Sequence, residues 1–223
     1  MATEPKEPQV GEHPEGGTLA PLSGDSKTDV ALPPPARLVR PAGPSDQSLE
    51  VMRLVQAGGT EAFSRWLVNQ GQVVIVLPYI ELPGLLAPGV KLASGDLKGA
   101  VFTGGNLSGG DFTGANLAGI LANKCGLRGT NFTGAILDAA IFTQADLTEA
   151  RFLGANLAGT IFTGCDLTKA DFTGSYMVGA YFTSCRLIGA KFAATARAGA
   201  YLPPGLEFSP AGVVIAQKRE EDR

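Results

Sequence analysis

The sequence is poor in the residues that enzymes most often use for catalysis and metal binding. It has one histidine, three cysteines and one tryptophan among 223 residues. A single histidine, His13, leaves no partner for a histidine-rich metal site and excludes most His-based catalytic triads. No phosphate-binding loop and no dinucleotide-binding glycine motif is present. We therefore expect a chain that is not an enzyme, with no catalytic residues, no cofactor and no metal site.

Charge and long apolar runs are also scarce. Charged residues make up 17% of the chain and the net charge is −3, which does not favour nucleic-acid binding. No run reaches the roughly 18 apolar residues of a membrane span; the longest, over 73–86, is interrupted by Pro78, Glu81 and Pro83. The first residues do not resemble a secretory signal. Three cysteines, an odd number, do not indicate a disulfide scaffold. We expect a cytoplasmic protein that has no membrane partner.

Residues 1–47 are rich in proline. They hold nine prolines and no aromatic residue, so they cannot bury enough surface to offset the entropy of ordering. We predict a disordered tail. It is either a plain spacer or a functional segment, and Pro33–Pro35 would suit a short polyproline II ligand.

Residues 48–90 predict a helical cap followed by an extended lead-in. Asp46 is a possible N-cap for a helix that ends at Gly58-Gly59, and Thr60 for a second helix that ends at Gly71. The second helix would have one apolar face, formed by Phe63, Trp66 and Leu67. Residues 72–90 read as extended chain, because prolines at 78, 83 and 88 exclude a long helix.

Residues 91–202 repeat with a period of five. From Leu92 to Phe192 every fifth position, here called a centre, is a large apolar residue, usually Leu and Phe in alternation, and only Ala122 departs from this rule; after Phe192 the rule fails at Arg197. The residue two before a centre is small, and the residue two after it is usually glycine. Neither a helix nor a flat strand has this period, which indicates a solenoid. Residues 203–223 predict a C-terminal tail with one possible short strand near 212–217.

A longer period of twenty is superimposed on the period of five. The residues just before every fourth centre are apolar, and the three cysteines are also separated by multiples of twenty. Four pentapeptides therefore make one square coil, with its centres inside, and successive coils stack at the β-ladder spacing of about 4.8 Å.

This pattern resembles the pentapeptide repeat family, whose signature is Ala-(Asp/Asn)-Leu-x-x. Residues 115–119 (Ala-Asn-Leu-Ala-Gly), 145–149 (Ala-Asp-Leu-Thr-Glu) and 170–174 (Ala-Asp-Phe-Thr-Gly) match it. The resemblance implies an all-β fold, a right-handed quadrilateral β-helix, here with a short N-terminal helical cap and a disordered tail. Residues 53–66 resemble the helical cap of some members.

One side of the predicted coil carries a row of outward apolar residues. A contiguous apolar stripe is typical of a contact surface. It either binds another molecule or is covered by residues 73–86 of this chain, and Ile136, Tyr176 and Val178 on the neighbouring side could widen it. The candidate partner-binding residues are Val101, Leu121, Ile141, Ile161, Tyr181 and Tyr201.

The other regular columns have simpler explanations. Aspartates just before centres, such as Asp146 and Asp171, are expected to make local hydrogen bonds. Cys165 and Cys185 are expected to be small core fillers, although their backbones could lie within disulfide range. Threonine ladders could order water as an ice-binding face does, but they are ordinary in such repeats.

These features predict a non-enzymatic interaction or scaffold module. Its partner would be another protein or a second copy of the chain, bound through the apolar residues. The family resemblance implies an alternative, a DNA mimic directed at type II topoisomerases. That role requires a strongly negative rod, whereas residues 91–202 carry nine basic and seven acidic residues.

Overall fold

The computed structural model describes residues 46–69, 74–197 and 199–218. The tail predicted over 1–47 lies almost wholly outside the described residues. What is described is one helix, a long coil of parallel β-bridges, a short helical turn and a C-terminal hairpin.

The first element is a single helix, α1, over Asp46–Asn69. The prediction of two helices with a break at Gly58-Gly59 is wrong. Helix α1 buries Val51, Phe63 and Leu67 in the same core cluster as the first coil, with Phe63 stacked on Trp66 at 5.8 Å between ring centroids. Each glycine costs a helix only about 1 kcal/mol, so packing at both ends of the segment outweighs the local preference for a break.

The coil advances by twenty residues per turn, as the sequence predicts. Short strands β1 (Leu121–Asn123), β2 (Ile141–Thr143), β3 (Ile161–Thr163) and β4 (Tyr181–Thr183) form one parallel sheet in chain order. In its register, residues twenty apart are partners on one side. Isolated parallel bridges repeat the same offset on the other three sides. The chain is a quadrilateral β-helix, and the predicted fold class is confirmed.

The β-helix begins earlier than the sequence predicts. Its first bridges join Val76 to Asp96 and Glu81 to Val101, so residues 74–90 form the first coil and not an extended lead-in before residue 91. Pro78, Pro83 and Pro88 each follow a buried apolar residue, at the second position of a turn. Proline suits that position because its fixed φ is the one the turn requires. The prolines that suggested a lead-in are therefore part of the repeat.

The C-terminal end is closed by a hairpin. The coil is interrupted by the helical turn α2 (Ala194–Arg197), and β5 (Leu206–Phe208) then pairs antiparallel with β6 (Val214–Gln217). The sequence predicted only one strand here. The Val214 N–H donates to the Ala190 carbonyl, and the Gln217 side chain bonds to Cys185 O at 2.7 Å and Leu187 N at 2.9 Å. The hairpin thus pairs backbone groups that the last coil would otherwise expose.

The core consists of stacked rings and leucines along the coil axis. The centroids of Phe132, Phe152 and Phe172 lie 4.9–5.0 Å apart along one inner column, with rings nearly parallel. A second column, starting at Phe142, meets the first edge to face. Rings spaced by the β-ladder make the offset stacks that aromatic groups favour.

The turn residue two after each centre has a positive φ. Glycine occupies most of these positions, but Ala139 adopts a φ of 54° there. The left-handed region costs a residue with a Cβ roughly 1–2 kcal/mol. Ala139 N–H donates to the carbonyl of Ala158, which lies on the adjacent coil and has no positive φ.

We predict that Ala139→Gly raises the free energy of unfolding by about 0.5–1 kcal/mol, because glycine adopts this φ without strain. The matched variant Ala158→Gly should lower it by a similar amount, because there glycine only adds freedom to the unfolded chain. Urea denaturation of both variants measures the difference. Equal destabilisation by both substitutions would contradict the account of the turn.

An irregular centre, Ala122, is compensated by its neighbour. Ile120 occupies a position that is small in the neighbouring coils, and both residues are buried. They line a small apolar void of about 10 Å³ together with Phe102 and Cys125. The larger side chain at 120 thus fills space that a phenylalanine at 122 would take.

We predict that Ala122→Phe and Ile120→Ala are each destabilising, by about 1–3 kcal/mol for the overpacked variant and about 2–5 kcal/mol for the cavity variant. The double variant should recover at least 1 kcal/mol of the summed loss, because it restores the regular pattern. Denaturant unfolding of the four proteins tests this, and strictly additive effects would show that the two positions are independent.

Candidate protein-interaction surface

The apolar residues predicted to share one side do lie on one line. Backbone partners in the parallel sheet are Leu121 with Ile141, Ile141 with Ile161, and Ile161 with Tyr181. Bridges extend the line to Val101 at one end and to Tyr201 at the other. We call these six residues the apolar column. It is the side on which the structure forms its regular strands β1–β4.

The apolar column becomes more exposed towards its C-terminal end. Val101, Leu121 and Ile141 are half-buried, whereas Ile161 is 38% exposed, Tyr181 45% and Tyr201 59%. Side-chain length increases in the same direction, from valine to tyrosine. The rings of Tyr181 and Tyr201 stack at 4.3 Å between centroids and 8° between planes. The neighbouring Tyr201 raises the pKa of Tyr181.

A second row of uncharged residues runs beside the apolar column. It is formed by the residues two after each column member: Thr103, Asn123, Thr143, Thr163 and Thr183. Neither row contains a charged residue from Val101 to Tyr201. The next residue back along the ladder is Glu81, which is exposed and bridges to Val101.

The segment that could have covered the apolar column does not do so. Residues 74–86 belong to the first coil, where Glu81 lies in line with the apolar column and not above it. Residues 74–86 therefore do not cover the apolar column. Of the residues expected to widen the surface, Ile136, Tyr176 and Val178 are all exposed on the adjacent side.

Two of the remaining sides carry charges that pair along the coil axis. Lys191 Nζ lies 3.4 Å from Asp171 Oδ2, and Arg186 Nε lies 3.8 Å from Asp166 Oδ2, each pair joining adjacent coils. Glu149 lies between Arg128 and Lys169. Such exposed pairs contribute little to stability, but they place charge on the side that follows the apolar column and on the side opposite to it.

The aspartates and asparagines before the centres make the local hydrogen bonds expected of them. Asp146 Oδ1 accepts from the Thr148 N–H at 3.0 Å, and Asp171 accepts from both the backbone and the hydroxyl of Thr173. Burial raises the pKa of Asp171, but these bonds and the Lys191 ammonium outweigh that effect, so the net pKa is lowered. These carboxylates stabilise turns.

The three cysteines are buried free thiols. Burial raises the pKa of Cys125, and the contact with Cys165 together with burial raises that of Cys185. Thiols with raised pKa values are poor nucleophiles. Within the described ranges, no group of three His, Cys, Asp or Glu side chains could hold a metal ion. The described helices also include none long and apolar enough to cross a membrane.

Sequence reasoning missed a groove at the C-terminal end of the apolar column. Its volume is about 410 Å³, and it is lined by Tyr181, Tyr201, Pro203, Gln217 and Lys218 among others. Pro203 and Pro204 marked the end of the repeat in the sequence. No local signal shows that the hairpin folds back and brings Gln217 and Lys218 beside the two tyrosines.

The family model for pentapeptide repeats matches eight copies over residues 89–119, 125–164 and 165–195. The repeat region of the chain, residues 89–195, belongs to the pentapeptide repeat family. The unmatched residues 120–124 of this pentapeptide repeat protein include the irregular pair Ile120 and Ala122. No curated protein matches the chain in sequence.

Several solved structures resemble this pentapeptide repeat protein. A trypsin-treated form of QnrB1, a plasmid-mediated fluoroquinolone resistance protein, is 17% identical; the match covers 57% of this chain and 69% of QnrB1, with a TM-score of 0.45. A pentapeptide repeat protein from the cyanobacterium Cyanothece 51142 is 20% identical over 57% of this chain and 91% of its own, with a TM-score of 0.37. One from the thylakoid lumen of Arabidopsis thaliana is 23% identical over 57% and 75%, with a TM-score of 0.26.

Proposed function

We propose that this pentapeptide repeat protein is a non-enzymatic interaction module and that the apolar column is its docking surface. The observation that carries the proposal is the contrast between sides. From Val101 to Tyr201 the apolar column and the row beside it carry no charge and expose aliphatic and tyrosine side chains, whereas the following side and the opposite side carry ion pairs. Depletion of charge and enrichment of tyrosine are features of the central part of protein interfaces.

The rigidity of the β-helix supports this role. The backbone under the apolar column is tied on both edges, for example from Ile141 N–H to Ile120 O at 2.8 Å and from Ile161 N–H to Ala140 O at 2.9 Å. Beneath it, Phe142 and Phe162 are fully buried and stacked. A pre-organised surface loses little conformational entropy on binding, so its exposed side chains contribute more of their burial to affinity.

The test is a double substitution at the middle of the apolar column, Ile141→Asp with Ile161→Asp. It places two carboxylates in the surface without touching the core. We expect partner capture, measured by quantitative crosslinking and co-purification from the native cell, to fall at least tenfold, which corresponds to about 1.4 kcal/mol.

The matched control is Ile188→Asp on a different side. Ile188 is 45% exposed, close to the 38% of Ile161, so the change in polarity is alike and only the location differs. This variant should bind as the unsubstituted protein does. Circular dichroism should show that all three proteins remain folded. An unchanged set of captured partners for the double variant would contradict the proposed docking surface.

The alternative role, a DNA mimic that binds type II topoisomerases, receives no support from the surface charges. Such mimicry requires a continuous negative face. On the side that carries Asp111 and Asp171, Lys91, Arg151 and Lys191 alternate with them, and Lys191 pairs with Asp171.

We therefore predict that the purified protein, in molar excess over DNA gyrase, does not change the rate of supercoiling without a quinolone. With a quinolone, we predict that it does not relieve the inhibition. Positive and negative side chains that alternate along the rod cannot reproduce the phosphate pattern of a duplex. A gel assay of plasmid supercoiling measures this. Relief of quinolone inhibition at stoichiometric protein would contradict the prediction and favour the alternative.

A further inference from the structure

We infer that the partner on the apolar column is a second copy of this chain, bound antiparallel about a two-fold axis that passes through Ile141. This inference rests on the proposed function, because it uses the same surface and specifies the occupant. It is argued from the order of side-chain sizes along the column, from the charge at its ends and from its area.

The side-chain sizes along the apolar column complement those of a second copy that runs in the opposite direction. Counted along the ladder from Glu81 to Tyr201, the middle residue is Ile141. A two-fold axis at Ile141 sets Ile141 against its own copy, Leu121 against Ile161, and half-buried Val101 against exposed Tyr181. Each pair joins a shorter side chain to a longer one or two of equal length, so the gap between the copies stays even and the contact can be dry.

A parallel arrangement lacks this complementarity. It would place Tyr181 against Tyr181 and Val101 against Val101, which opens a wedge at the valine end. It would also place Glu81 against Glu81, and like charges in contact are unfavourable. The observed gradient of exposure, from half-buried Val101 to 59% exposed Tyr201, therefore selects the antiparallel pairing.

The charges at the two ends of the ladder are also complementary in the antiparallel arrangement. Glu81, an exposed carboxylate, would meet the end of the second copy that carries the Tyr201 hydroxyl. Lys218 lines the same groove, with its ammonium 2.9 Å from Glu207. A carboxylate entering there can accept a hydrogen bond from the Tyr201 phenol beside the Lys218–Glu207 pair, which is a charge-assisted contact.

The area of the uncharged side fits a weak dimer. Five coil spacings make it about 24 Å long, and a three-residue strand with its side chains is roughly 15 Å wide. Two such faces bury roughly 700 Å² in total, below the about 1,200 Å² of a standard stable interface. Val178, exposed beside Tyr181, can add to it. We expect a concentration-dependent dimer, with dissociation in the micromolar range and not tighter.

The test is site-directed crosslinking of the full chain with a short bismaleimide. The three native cysteines are buried, so their background reaction is low. Ile141→Cys lies on the proposed axis and should crosslink to itself. Val101→Cys alone and Tyr181→Cys alone should not, because each would lie about 19 Å from its own copy, four coil spacings away. An equal mixture of these two variants should crosslink.

Light scattering and sedimentation at increasing concentration give an independent readout. The unsubstituted protein and Ile188→Asp should form dimers with equal affinity. Ile141→Asp should weaken the dimer at least tenfold, because the axis sets its carboxylate against the same carboxylate of the other copy.

Two outcomes would overturn the self-pairing. One is self-crosslinking of Val101→Cys or Tyr181→Cys, which would show a parallel arrangement. The other is a monomer at every concentration with no crosslink at Ile141→Cys. If the protein is a monomer but the Ile141→Asp and Ile161→Asp double variant still loses captured partners, self-pairing is wrong and the proposed function stands. If capture is also unchanged, both are wrong.

Discussion

The fold and its surface depend on one constraint, the backbone ladder that joins each residue to the one twenty positions later. Arg151 and Asp171 are such partners: the Asp171 carbonyl accepts from the Phe152 N–H at 2.7 Å, and the Asp171 N–H donates to the Ala150 carbonyl at 2.9 Å. The same offset of twenty recurs from the first coil to the last. Because the offset is fixed, like side chains stack on like. Phenylalanines form ring columns inside, aspartates and their basic partners form ion pairs outside, and the apolar column forms on the side of the regular strands.

Much of this arrangement could be predicted because its signals are local and periodic. The period of five gives the inward positions, the period of twenty gives the coil, and glycine two after a centre gives the turn. The alignment of Ile141 with Ile161 follows from the period alone. Whether these residues bind a partner is not decided by the period, and that role stays a prediction.

The differences from prediction arise where tertiary contacts replace the periodic signal. Pro78, Pro83 and Pro88 looked like the reason for an extended segment, yet they occupy turn positions of the first coil. The glycines in α1 are tolerated because the helix packs on the coil. The contact of Gln217 with Cys185 joins residues 32 positions apart through the hairpin, and no periodic pattern encodes it. The compensation between Ile120 and Ala122 has no periodic signal, because it depends on both side chains lining the same inner space.

Spin labels on the full chain test most directly whether each coil takes twenty residues and so aligns its outward side chains. Labels at Thr143→Cys and Thr163→Cys would lie on register partners of adjacent coils. Labels at Thr143→Cys and Leu153→Cys would lie half a coil apart, on opposite sides. The account predicts strong dipolar broadening of the continuous-wave EPR spectrum for the first pair and little for the second. Equal broadening, or more for the second pair, would contradict it.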